Sequence, residues 1–215
     1  MAATPHEERL DTVTRQLVAS GAQSVLDLGC GPGELLARLV PCAQLRRIVG
    51  IDISLESLAA ARLLLGLGHD MDDGRVCLLQ ASFAQADDRL TGFDAALLVE
   101  TIEHIDPGRL SAVEQAVFVC YQPGIVFVTT PNQEYNVVHG MRPGILRHPD
   151  HRFEWTRAKF RSWAFGVSKR NGYSVAFGDI GEANPILGSS TQMATFRRRR
   201  KGDRQNLSSV RLRTL

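Results

Sequence analysis

What this chain lacks narrows it first. No stretch approaches the ~20 uninterrupted apolar residues that a membrane-spanning helix needs, so no membrane association is expected. The start, MAATPHEERLDTVTRQ, is polar and charged where a secretory leader would carry an apolar run behind a basic start, and a cytoplasmic address is the default expectation. Cysteine is scarce: Cys30, Cys42, Cys77 and Cys120 form no CxxC pair and no framework spacing, so neither a zinc knuckle nor a disulfide scaffold is suggested. Reduced, mostly buried thiols are expected. There is no internal repeat and, one arginine run apart, no low-complexity segment.

What is present suits one domain with a single core: 215 residues, 44% hydrophobic and 22% charged. The net charge of +2 hides an asymmetry. Residues 197–215, RRRRKGDRQNLSSVRLRTL, carry eight basic residues and one acid. This end reads either as an arm drawn to nucleic-acid phosphates or as a solvated, disordered basic tail. The domain proper is then residues 1–196.

Along that domain, strand-like and helix-like runs alternate. An amphipathic helix over 3–20 covers a sheet edge or caps a ligand site. Strands are expected at 24–29, 46–54, 75–83, 93–100 and 124–131, with helices at 33–40, 55–66 and 105–121 between them. The pattern predicts an α/β fold with a doubly wound, mostly parallel sheet. Residues 132–153 have no period, which inside a compact domain marks a binding loop, a lid or disorder. A helix over 155–172, with Thr156 as N-cap and Gly172 as C-cap, and two β-like runs at 173–180 and 191–197 close the domain. The joint between those runs is too short for a crossover, so an antiparallel C-terminal strand is expected.

Two constellations carry chemistry. In DLGCGPG (27–33), glycines let the backbone turn tightly and let a ligand approach, while the next helix offers free N–H groups. Asp52, about twenty residues on, closes the second strand where a carboxylate can accept ribose hydroxyls. The spacing is G-x-G-x-G, and Asp27 would repel a pyrophosphate but accept an ammonium group; a cofactor with an amino acid end fits better. In VETIEHIDP (99–107), a helical turn from Thr101 would bring Glu100, Glu103 and His104 to one side. Oxygen and nitrogen ligands suit Mg²⁺ or Mn²⁺. The same residues could instead cap a helix or contact cofactor.

VLDLGCGPG followed by GIDIS resembles the class I S-adenosylmethionine-dependent methyltransferases. The likeness implies that Asp27, Gly29 and Gly31 line the methionine end, Asp52 the ribose, and Ser82 with Phe83 the adenine. E-x-x-E-H after the fourth strand, TPNQEYN after the fifth and DHRFEWTR beyond it further resemble the HUA-enhancer family of small-RNA methyltransferases, which methylate the 2′-hydroxyl of the 3′-terminal nucleotide. This resemblance implies metal ligands at Glu100, Glu103, His104 and His151, with His148 as the rival to His151 or an RNA contact. His104 or His151 could take the leaving proton, beside Glu103. Glu154 and Trp155 are either catalytic neighbours or a helix-start carboxylate and a core indole. Arg142, Arg147, Arg152 and Arg157 are placed to meet phosphates. The expected substrate is an RNA 3′ end, and bacterial relatives imply an RNA-repair kinase-phosphatase-ligase partner. The rival readings are a small-molecule O- or N-methyltransferase without metal, and a catalytically silent RNA-binding module.

Overall fold

The computed structural model describes residues 4–68, 74–142 and 144–199. Seven strands form one sheet in the order β3-β2-β1-β4-β5-β7-β6. These are β1 (Ser24–Leu28), β2 (Arg47–Asp52), β3 (Val76–Gln80), β4 (Ala95–Val99), β5 (Ile125–Pro131), β6 (Tyr173–Ile180) and β7 (Thr191–Arg198). The first five pair in parallel. β7 runs antiparallel to both β5 and β6 and so lies between them. The mostly parallel, doubly wound sheet with an antiparallel C-terminal strand is thus present.

Alternating side chains feed two apolar layers. Leu26, Leu28, Ala96 and Leu98 face helices α4 (Leu110–Glu114) and α5 (Arg157–Asn171). Val25, Ala95 and Leu97 face α1 (Pro5–Ala19), α2 (Glu34–Leu39) and α3 (Leu55–Leu64). Each fully buried Val or Leu contributes about 1.5–3 kcal/mol. α1 begins at a capping box, in which Thr4 and Glu7 answer each other's backbone N–H groups, and buries Leu10, Val13 and Leu17. Thr156 and Gly172 cap α5 as its sequence requires, Gly172 in the left-handed region at φ 74°. Among the described residues no helix is long and apolar enough to cross a membrane.

The expected helix over 105–121 is the main departure. Pro107 forces Asp106 into extended backbone (ψ 131°), so a separate 3₁₀ turn spans Pro107–Arg109 and α4 starts at Leu110. The helix then widens into a π-helix over Gln115–Tyr121 and stops at Gln122, which is left-handed. The first five strands run shorter than expected, and Trp155 precedes α5, bridging to Asn132 in a parallel β-bridge. Of the four cysteines Cys30 is buried, while Cys42, Cys77 and Cys120 are half-buried. β7 continues through Arg198, two residues into the expected basic tail, and residues 200–215 of that tail lie outside the described residues.

Gly33 shows how tightly the layers close on the loop after β1. Its φ is +88°, and a Cβ there would meet Ala61 Cβ at 2.9 Å and Ala61 Cα at 3.1 Å. Replacing Gly33 by Ala is therefore expected to destabilise the fold by roughly 2–4 kcal/mol, combining left-handed strain with overpacking. Urea unfolding should show a lowered midpoint at unchanged m-value.

Candidate active site

Strand order reverses between β1 and β4, and the crevice of a doubly wound sheet opens over the C-terminal ends of such strands. The loop after β1 is pinned to β2, since the N–H groups of Gly29 and Cys30 both donate to the Ile51 carbonyl at 2.9 Å. Gly29 has φ +88° and leaves no room for a side chain, because a Cβ would lie 2.7 Å from Thr101. Over Gly31 the space is open, with no atom within 4 Å of where a Cβ would stand. Asp52 accepts the Gly31 N–H at 2.9 Å and the Ser54 N–H at 2.8 Å. Its carboxylate braces the loop from the ribose side of the expected site. Ile53, the next residue, is 70% exposed.

Asp27 is buried, and its Oδ2 finds no hydrogen-bond partner among the described residues. Burial, and then the negative charge of Asp52, push its carboxyl up to about 7. With Gly29, Gly31, Arg9 and Glu100 it lines a cavity of about 190 Å³. Helix α1 roofs this cavity: His6 Nε2 stands 2.5 Å from Glu34 Oε2, and Arg9 points inward with its Nε buried and unpartnered. An unpaired carboxyl and an unpaired guanidinium nitrogen in one cavity suit a zwitterionic amino acid group. Sequence reading missed Arg9; its place on the helix expected to cap the ligand site was the available signal. Ser82 and Phe83 follow β3 but do not line this cavity. The Ser82 hydroxyl accepts the Ala84 N–H at 3.3 Å, while the Phe83 ring comes within 3.3 Å of a Cβ at Gly29.

The second constellation begins with strained backbone. Glu100 has φ 51°, a left-handed conformation costly for a residue with a side chain, and it turns the chain from β4 into a 3₁₀ turn over Ile102–His104. Glu103 is 0% exposed. Its Oε2 accepts the Thr130 hydroxyl at 3.0 Å, while Oε1 is buried without a partner. Burial first, then Glu100, hold its carboxyl well above the usual range. The Arg152 N–H donates to the Glu103 carbonyl at 2.7 Å and ties the 132–153 stretch to the turn. That bond brings His151 beside His104, ring centroids 4.9 Å apart. Ligand-capable atoms of Glu103, His104 and His151 lie within 4.8 Å of one another. Burial, and then His151, lower the pKa of His104.

Three of the four expected ligands are thus assembled from two distant segments. The fourth, Glu100, stands apart: its Oε1 accepts the Thr129 hydroxyl at 3.0 Å, and its Oε2 faces Arg9 at 3.6 Å. His148 is exposed, its ring 6.1 Å from His104 and 5.7 Å from His151. Two expected phosphate contacts are engaged internally. Arg147 reaches Asn136, Asn132 and Ser190, and Arg157 pairs with Glu134 and the Ile186 carbonyl. Arg142 and Arg152 are exposed. A buried carboxyl with one unpartnered oxygen, close to two imidazoles, is costly alone and fits a nitrogen-tolerant divalent cation.

A parallel sheet with a switch-point crevice, a G-x-G-x-G loop and an acid closing β2 define a class I methyltransferase. Residues 25–124 match the family model described as "Methyltransferase domain". A crystal structure of the methyltransferase domain of bacterial CtHen1 superposes with a TM-score of 0.82 at 42% identity, covering 91% of this chain and 99% of that one. The small RNA 2′-O-methyltransferase of Rattus norvegicus is 37% identical over 82% of this chain, and that of Arabidopsis thaliana 32% over 89%. The chain belongs to the Hen1 family of small RNA 2′-O-methyltransferases. It spans only 46% and 22% of the lengths of those rat and Arabidopsis relatives.

If Asp27 takes the ammonium group of the cofactor, as the family resemblance implies, binding is expected to depend on pH. Below about 7 its carboxyl is protonated and cannot attract an ammonium group, so S-adenosylmethionine affinity should fall about tenfold for each further pH unit. Titration calorimetry between pH 5 and 8 should show this slope in the native chain and a weak, flat profile in Asp27→Asn.

Proposed function

We propose that this domain transfers a methyl group from S-adenosylmethionine to the 2′-hydroxyl of the 3′-terminal nucleotide of an RNA, with help from Mg²⁺ or Mn²⁺. The observation that carries this reading is the Glu103, His104, His151 set, which follows closely on Glu100, itself a lining residue of the cavity that holds Asp27 and Gly31. Membership of the Hen1 family supports the RNA substrate.

Asp27 and Arg9 would take the ammonium and carboxylate of the cofactor, Asp52 its ribose, and Phe83 with Ser82 the adenine side. Glu103, His104 and His151 would hold the cation, and Glu100 would join them by giving up Thr129. When bound, that ion would supply Lewis acidity that lowers the pKa of the attacking ribose hydroxyl. Only a 3′-terminal nucleotide offers a free 2′,3′ pair, which accounts for the address. The chain's own work is positional: Thr130 and the Arg152 backbone keep Glu103 facing the histidines, and the strained turn at Glu100 sets this group over the crevice. His104 or His151 would take the leaving proton only where the cation and Glu154 leave a ring nitrogen free; burial lowers the pKa of His104.

Transfer of labelled methyl to a short RNA tests the reading. An RNA ending in a 2′,3′-diol should be labelled; one with a single 2′-deoxy 3′ terminus should not, and EDTA should abolish the signal until Mn²⁺ is restored. Glu103→Ala should lose transfer while calorimetry still shows cofactor binding. Labelling of the 2′-deoxy RNA, or turnover in Glu103→Ala, would overturn it. Labelling of a small molecule with EDTA present would favour the metal-free alternative.

A further inference from the structure

We propose that Glu154 is a positioning residue for the cation site: it holds His151 in the tautomer protonated on Nδ1, leaving the Nε2 lone pair to the cation shared with Glu103 and His104. This rests on the cation reading above and assigns a task to a residue outside the ligand set.

Three donors surround the carboxylate. Glu154 Oε2 accepts the Asn136 side-chain amide at 2.6 Å, and Oε1 accepts the Arg147 backbone N–H at 2.6 Å. His151 Nδ1 lies 2.7 Å from the same Oε1. A carboxylate ringed in this way acts as an acceptor only, so the hydrogen of the short contact belongs to Nδ1. Neutral imidazole has one N–H, and fixing it on Nδ1 leaves Nε2 bare. The acid's own place is over-determined. The Arg147 guanidinium donates to Asn136 Oδ1 at 2.6 Å, turning that amide's NH₂ toward Glu154, and to the Asn132 carbonyl at 2.6 Å. Glu154 and His151 are both nearly sealed from solvent, with side-chain exposures of 0% and 8%, so no water competes for the Nδ1 hydrogen. Outer partners of metal-bound histidines typically govern affinity by 10–100-fold.

Glu154→Gln tests this with little change of shape, since an amide keeps one acceptor but turns its NH₂ against donors. In the metal-free native chain, at a pH of about 8.5 where imidazole is neutral, ¹⁵N NMR should show His151 protonated on Nδ1. In Glu154→Gln the Nε2-protonated form should appear, and Mn²⁺ affinity, read by electron paramagnetic resonance of the free ion, should fall at least about tenfold. S-adenosylmethionine affinity should stay close to native, because it does not depend on the tautomer, while the thermal midpoint should fall modestly as the amide meets the surrounding donors. A native His151 protonated on Nε2, or Mn²⁺ affinity unchanged in Glu154→Gln, would overturn the proposal. So would joint loss of cofactor binding and thermal stability, which would make Glu154 a structural brace. These readouts use no RNA; if they hold while RNA methylation fails, the substrate reading falls and the positioning role stands.

Discussion

A carboxylate shut away from water with one oxygen left unanswered is the constraint around which the rest of this domain is arranged. Glu103 occupies a place where an acidic side chain is expensive, and a single threonine hydroxyl does not offset that cost. Its tolerance depends on what lies opposite, namely two imidazoles delivered by separate parts of the chain. The backbone bond between Arg152 and Glu103 makes that delivery possible, and the left-handed turn at Glu100 aims the carboxylate at it. Local strain and desolvation here are carried by the large apolar layers on either side of the sheet.

The two ends of the crevice are built on contrasting plans. Around Asp27 the walls include glycine backbone, and Asp27 Oδ2 and Arg9 Nε are left without hydrogen-bond partners, as suits a ligand that comes and goes. Around Glu103 the Thr130 hydroxyl meets one carboxylate oxygen, and on the facing segment hydrogen bonds link His151 to Glu154, Glu154 to Asn136 and Asn136 to Arg147. Glu100 stands between the plans, touching Arg9 on one side and raising the pKa of Glu103 on the other. A change at either end is therefore felt electrostatically at the other.

Much of this was legible in the sequence because it rests on short-range rules. The alternation of apolar runs foretold the parallel sheet, and the caps at Thr156 and Gly172 are local chemistry that any chain with those residues obeys. Glu103 and His104 could be singled out because they are neighbours, and His151 because its segment resembled a known family. What escaped depended on partners far apart in sequence. The orientation of Arg147 and Arg157 toward the interior is decided by Asn136 and Glu134, which no spacing rule connects to them. The withdrawal of Glu100 to Thr129 depends on the register of β4 against β5. The late start of α4 was readable from Asp106-Pro107, since proline disfavours helical backbone in the residue before it. The periodicity of the following residues masked that signal.

The place of β7 has a consequence for biosynthesis. Gln192 on that strand donates to the carbonyls of Pro131 and Trp155, clamping both ends of the stretch that carries His151. β7 follows every proposed ligand in the chain yet lies between β5 and β6, so a ribosome that has finished α5 has made those residues before the strand that clamps their loop. The loop is fastened only once Gln192 has been made.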